Sequence, residues 1–97
     1  MKRVFLADAR SDERTDLRQL LIDVNMHVVG EAAGWPSVLI HGPTTHPDVV
    51  MVDWNLIASR SVAAMRELRT AYPTAVLMVV PGQMDARQRS MLITSNK

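Results

Sequence analysis

At 97 residues, 47% of them apolar and 22% charged, with a net charge near +1, the chain can bury one small core and no more. The absence of cysteine excludes disulfides, thiolate zinc sites and thiol nucleophiles, and the near-neutral charge leaves no footprint for nucleic acid or an anionic membrane. The opening Met1-Lys2-Arg3-Val4-Phe5-Leu6-Ala7-Asp8 reaches an acid too soon for a signal peptide. No window approaches the run of about 18 apolar residues that spans a bilayer, so a cytoplasmic location is expected.

Taken in order, Val4 to Ala7 reads as a short strand ending at Asp8. Ser11 or Asp12 can cap a helix, with Asp12, Glu13 and Asp16 placing negative charge at its positive end. Leu17, Leu20, Leu21 and Val24 follow at i, i+3, i+4 and i+7, which is one helical face. His27 to Ala32 is a less apolar strand, expected at a sheet edge. Gly34-Trp35-Pro36-Ser37 opens a second helix with proline in its first turn, and Gly42-Pro43 ends it early. A loop through Thr44-Thr45-His46-Pro47 leads to Asp48-Val49-Val50-Met51-Val52-Asp53. That run is apolar throughout and ends on a carboxylate, the pattern of a strand buried on both faces.

Asn55 to Ser59 reads as a loop. A helix is expected from Ser61 to Tyr72, with Val62, Met65, Leu68 and Tyr72 inward and Pro73 as its stop. Ala75 to Val80 is a further buried strand, closed by Pro81-Gly82. Asp85 to Thr94 is a weak helix pattern carrying Met91 and Leu92. The alternation β-α-β-α-β-α-β-α, with right-handed crossovers, makes a single α/β domain over 1–97 with a doubly wound parallel sheet. With the first strand central the order is 2-1-3-4, and Asp8 and Asp53 share the crevice at the switch point.

The blocks Arg3-Val4-Phe5-Leu6-Ala7-Asp8, Val28-Val29-Gly30-Glu31-Ala32-Ala33, His46 to Asp53 and Leu68-Arg69-Thr70-Ala71-Tyr72-Pro73 resemble the response-regulator receiver domains of two-component signalling. The likeness is nearest to those carrying helix-turn-helix output domains. It implies a flavodoxin-like fold and makes Asp53 the phosphoacceptor position. It also implies a magnesium site on Asp8, Asp53 and the main-chain carbonyl of Asn55, weakened by Ala9 where the family has a second acid. Pro81 stands at the family's Thr or Ser position. The sequence stops before the family's fifth strand and helix, and Lys97 is not expected to replace the lysine they carry.

These departures favour a degenerate pseudo-receiver, a phosphorylation-independent interaction or dimerisation module and not an enzyme. The alternative is a working receiver phosphorylated on Asp53 by a histidine kinase. The exposed fourth strand and last helix imply a homodimer, unless the 97 residues are a fragment. Trp54 either shields Asp53 or covers the loop. His27, His41 and His46 read as surface residues without a third metal ligand. Arg87 and Arg89 read as a solvated face, and the methionines mostly as packing.

Overall fold

The computed structural model describes residues 1–58, 60 and 62–81. Strands β1 (Arg3–Ala7), β2 (His27–Ala32), β3 (Val49–Asp53) and β4 (Val76–Val80) form one parallel sheet in the order β2-β1-β3-β4. The doubly wound flavodoxin-like architecture is therefore the one expected, with β2 at an edge. The helices are α1 (Ser11–Asp23), α2 (Trp35–Ile40), α3 (Trp54–Ala58) and α4 (Ala63–Ala71), with a single 3-10 turn at Gly42–Thr45. Among the described residues no helix is long and apolar enough to cross a membrane.

Side chains alternate across a strand, so each strand feeds two cores. Val4, Leu6, Val49 and Met51 pack with Leu17 and Leu21 of α1 on one face. Phe5, Ala7, Val50 and Val52 pack on the other with Trp35, Val38, Ala64, Leu68 and Tyr72. The same alternation decides where the acids go. Asp8 continues the row of Val4 and Leu6, and Asp53 continues the row of Val49 and Met51. Both therefore stand on the α1 side, one residue beyond the apolar layer.

Three local expectations are corrected. The stretch after Asp53 is not a loop, because Trp54–Ala58 winds into α3 and buries Leu56 and Ile57. In α4 the buried stripe is Ala64, Leu68 and Tyr72 at i, i+4 and i+8, and Ala64 rather than Met65 lies against the sheet. Val62 precedes the helix and is 85% exposed, and Met65 is also exposed. Neither Ser11 nor Asp12 caps α1. Its N-cap is Arg10, with no side-chain cap, because the Asp8 carboxylate two residues earlier takes the Arg10 main-chain N–H at 2.9 Å and turns the chain into the helix.

Of the methionines, Met26, Met51 and Met78 are buried while Met1 and Met65 are exposed. His27, His41 and His46 are exposed. The expectations for Asp85 to Thr94, Arg87, Arg89 and Lys97, and for the helix start at Ser61, lie outside the described residues.

Candidate phosphoacceptor and cation site

Asp8 and Asp53 end adjacent strands that pair in register from Val4–Val49 to Ala7–Val52. Their carboxyl groups meet at the carboxyl edge of the sheet, in the crevice the strand order predicts. A third acid joins them. Carboxylate oxygens of Asp8, Glu13 and Asp53 all lie within 4.8 Å of one another, and they form the only such group of possible metal ligands among the described residues. The sheet supplies two members and α1 the third.

Glu13 was counted at the sequence level only as helix N-terminal charge. The signal that would have found it is positional. Glu13, Leu17 and Leu21 are spaced i, i+4, i+8, and both leucines are buried on the stripe that α1 lays on the sheet. An acid on the buried stripe, one turn before the first leucine, must end beside whatever the strands present there. They present Asp8 and Asp53.

The site is largely closed to solvent, with Glu13 its most exposed acid. Asp8 is 1% exposed and Asp53 3%, and the Glu13 side chain is 12% exposed. One oxygen of Asp8 accepts the Arg10 N–H, and the Asp8 main-chain carbonyl accepts a 2.7 Å hydrogen bond from the Arg14 guanidinium. Asn55, in the first turn of α3, offers its main-chain N–H and its side-chain amide to the Asp53 carboxylate. The other Asp53 oxygen, Oδ1, is buried without a hydrogen-bond partner. The closest cation, Arg10, sits at the rim, 3.6 Å from Glu13 and 2.9 Å from the exposed Asp12. Arg14, held between the Asp8 carbonyl and Glu31, and Arg18 pair with the Glu31 carboxylate, at 3.5 and 2.6 Å, and not with the three acids.

Three buried carboxylates with one exposed guanidinium cannot all ionise cheaply. Two unit charges about 5 Å apart repel by roughly 3 kcal/mol even at an effective dielectric of about 20. The system answers by holding a proton. The Glu13 carboxyl is pushed up to about 7, first by its burial, then by the hydrogen bond it makes to Asp8 and by the charges of Asp8 and Asp53. Asp53 is also raised, by burial and then by Asp8, against the opposing pull of Asn55 and Arg10.

Ala9, at the second acid position, is exposed. Trp54 is 52% exposed and stands over a shallow depression with Ile57, Val62 and Met65, while Asp53 is enclosed by its own neighbours. At the end of β4, Val80 pairs with Asp53, which places Pro81 immediately beyond the site, without a hydroxyl or an N–H.

No family model and no curated protein matches the chain. Solved structures do, as folds. The receiver domain of AraT from Geobacillus stearothermophilus superposes with a TM-score of 0.76 at 17% identity, over 97% of this chain and 91% of that one. The isolated receiver domain of RcsB from Salmonella enterica serovar Typhimurium, with a beryllofluoride phosphomimetic, gives 0.73 at 14% identity over 96% and 72%. PhyR from Brucella abortus gives 0.76 at 17% identity, over 96% of this chain but 46% of its own. The chain has the fold of a response-regulator receiver domain.

Proposed function

We propose that the chain is a receiver module in which Asp53 accepts a phosphoryl group with the help of a divalent cation. The observation that carries this reading is the buried, unpartnered oxygen of Asp53, whose carboxylate stands in one group with those of Asp8 and Glu13. A buried polar atom without a partner is costly, and among acids at a strand end a bound cation would satisfy it. The donor set is made only of hard oxygens, which suits magnesium and not zinc or copper. Asp8, Asp53 and the main-chain carbonyl of Asn55 are the ligands assigned by position. The bound cation neutralises charge that would otherwise repel an incoming phosphate.

The residues of the chain do the rest. The Asp53 carboxylate is the attacking group. As it forms the new P–O bond, the P–N bond of a phosphohistidine donor breaks and the leaving imidazole carries off the electron pair and takes up a proton. Asn55 holds the second Asp53 oxygen and so fixes the direction of attack. The product adds negative charge between β3 and α3, beside the exposed Trp54, Val62 and Met65. In this reading the chain is a cytoplasmic signalling module without an external substrate. Its partners are a histidine kinase and, through the β4 side, a second copy of itself. Sedimentation of a strictly monomeric species at high concentration would remove the second partner.

Pro81 favours a second reading, a pseudo-receiver that works as an interaction module without phosphorylation. A receiver needs a group at the end of β4 to register the phosphoryl oxygen, and proline offers none. The test is intact mass after incubation with a small acyl phosphate and magnesium chloride, on the chain and on Asp53→Asn. Gain of one phosphoryl group, lost in the variant, is the expected result. No gain leaves the interaction module.

A further inference from the structure

We infer that Glu13 supplies the cation ligand that Ala9 does not, so that the second acid of the site has moved from the strand-end loop to the first turn of α1. This inference rests on the reading of a magnesium-assisted receiver and extends it to a residue no positional match would select. Two independent observations meet in it. The Glu13 carboxylate lies within 4.8 Å of ligand oxygens from both Asp8 and Asp53. Separately, Asp53, 3% exposed and one of these three acids, keeps a buried oxygen with no hydrogen-bond partner.

The backbone explains how the relocation works. The residue after Asp8 has an exposed side chain, since the chain there is turning towards α1 under the hold of the Asp8–Arg10 hydrogen bond. An acid at position 9 reaches the crevice only by folding back. Glu13 arrives from the opposite wall, on a helix fixed by Leu17 and Leu21, and has the longer side chain needed to cross from helix to strand end. Its one ion pair, to Arg10 at 3.6 Å, is with an exposed guanidinium and is easily exchanged. The formal charge of the site is thereby restored to that of three carboxylates. A ligand carried on a rigid helix is also better positioned than one on a turn.

A structural alternative assigns Glu13 only a proton shared with Asp8, and magnesium binding separates the two. The full chain is titrated with magnesium chloride against an EDTA baseline, following tryptophan fluorescence and thermal unfolding, in the native sequence, Glu13→Gln, Glu13→Asp and Ala9→Asp/Glu13→Gln. Expected are binding by the native chain, weakening by at least about tenfold in Glu13→Gln, and recovery when Ala9→Asp is added. Glu13→Asp keeps the charge but withdraws the oxygen by one methylene, so it should fall between, and it covers the case of a Glu13→Gln chain that fails to fold. Equal binding by native and Glu13→Gln chains overturns the inference and leaves a receiver whose cation rests on Asp8 and Asp53. A native chain that does not bind, beside an Ala9→Asp/Glu13→Gln chain that does, also overturns it. No binding in any variant removes the magnesium-assisted receiver itself.

Discussion

The two ends of the same four strands are built on opposite rules. At the amino end Arg3 and Asp48 are both tied down. The Arg3 N–H donates to Asp48 Oδ2 at 2.8 Å, and the Arg3 guanidinium is spent on the carbonyls of Thr45 and His46. The backbone of Asp48 ties β1 to β4 through Arg3 O and Val76 N. Below it Gly42 lies under the Tyr72 hydroxyl, which donates to Val38 O. At the carboxyl end three acids crowd together, one oxygen goes unsatisfied and the guanidinium groups of Arg14 and Arg18 take Glu31 as their ion-pair partner. One end closes the fold. The other holds unsatisfied charge, and the apolar strands between keep the two from relaxing into each other.

Breaking the closed end should produce the larger loss of stability. Gly42 has no positive φ, so it is needed for space and not for conformation. A Cβ there would collide with the Tyr72 hydroxyl and press on the Phe5 ring at 3.1 Å, and Tyr72 is buried with no room to withdraw. Gly42→Ala should destabilise the chain by about 1–3 kcal/mol, the usual cost of overpacking. A urea unfolding midpoint unchanged from the native chain would show that this end is looser than its contacts imply.

The open end should instead respond to pH. Glu13 is raised from 4.5 to about 7 in the folded chain, and Asp53 is raised as well. The folded state therefore keeps protons that the unfolded state releases, and stability falls as pH rises. The contribution is fully present below pH 4.5 and is lost through about pH 7. Solvent reaching the Glu13 carboxylate reduces its size to an order of 1 kcal/mol. Thermal unfolding in EDTA between these limits should show the downward slope, Glu13→Gln should flatten it, and magnesium should reverse it above pH 7. A flat profile in the native chain would mean the acids are not electrostatically coupled.

The fold was legible because apolar runs and their stops carry it. Val49 to Val52 reads as a doubly buried strand, and the less apolar His27 to Ala32 as an edge. The pairing of Asp8 with Asp53 followed from strand order alone. What the sequence concealed depends on rotation about a helix axis. Glu13 looks like first-turn charge until α1 is seated on the sheet, and then it falls on the same stripe as Leu17 and Leu21. In α4 Leu68 and Tyr72 lie inward as expected, but the stripe runs back from Leu68 by four residues to Ala64 and not by three to Met65, which looks the better core candidate by composition. The short α3 was missed for a third reason. Five residues are too few to show a helical period.

The smallest effect distinguishes the site from its surface. Trp35 is buried, donates to Glu67 Oε2 at 2.9 Å and carries the Arg60 guanidinium 4.9 Å above its ring. Among the described residues Trp54 has none of these ties, and half its surface is in water. Trp54→Phe should therefore change the stability by no more than about 0.5 kcal/mol, measured by urea unfolding followed by circular dichroism. Its consequence is spectroscopic. Trp54 directly follows Asp53, so neutralising the acids should alter its emission, while Trp35 lies on the opposite face of the sheet with the Phe5 and Val50 core. The magnesium-dependent fluorescence change should vanish in Trp54→Phe while the magnesium-dependent rise in unfolding temperature remains. Loss of both would place Trp54 inside the site, and the contrast between an enclosed acid cluster and an open apolar rim would have to be redrawn.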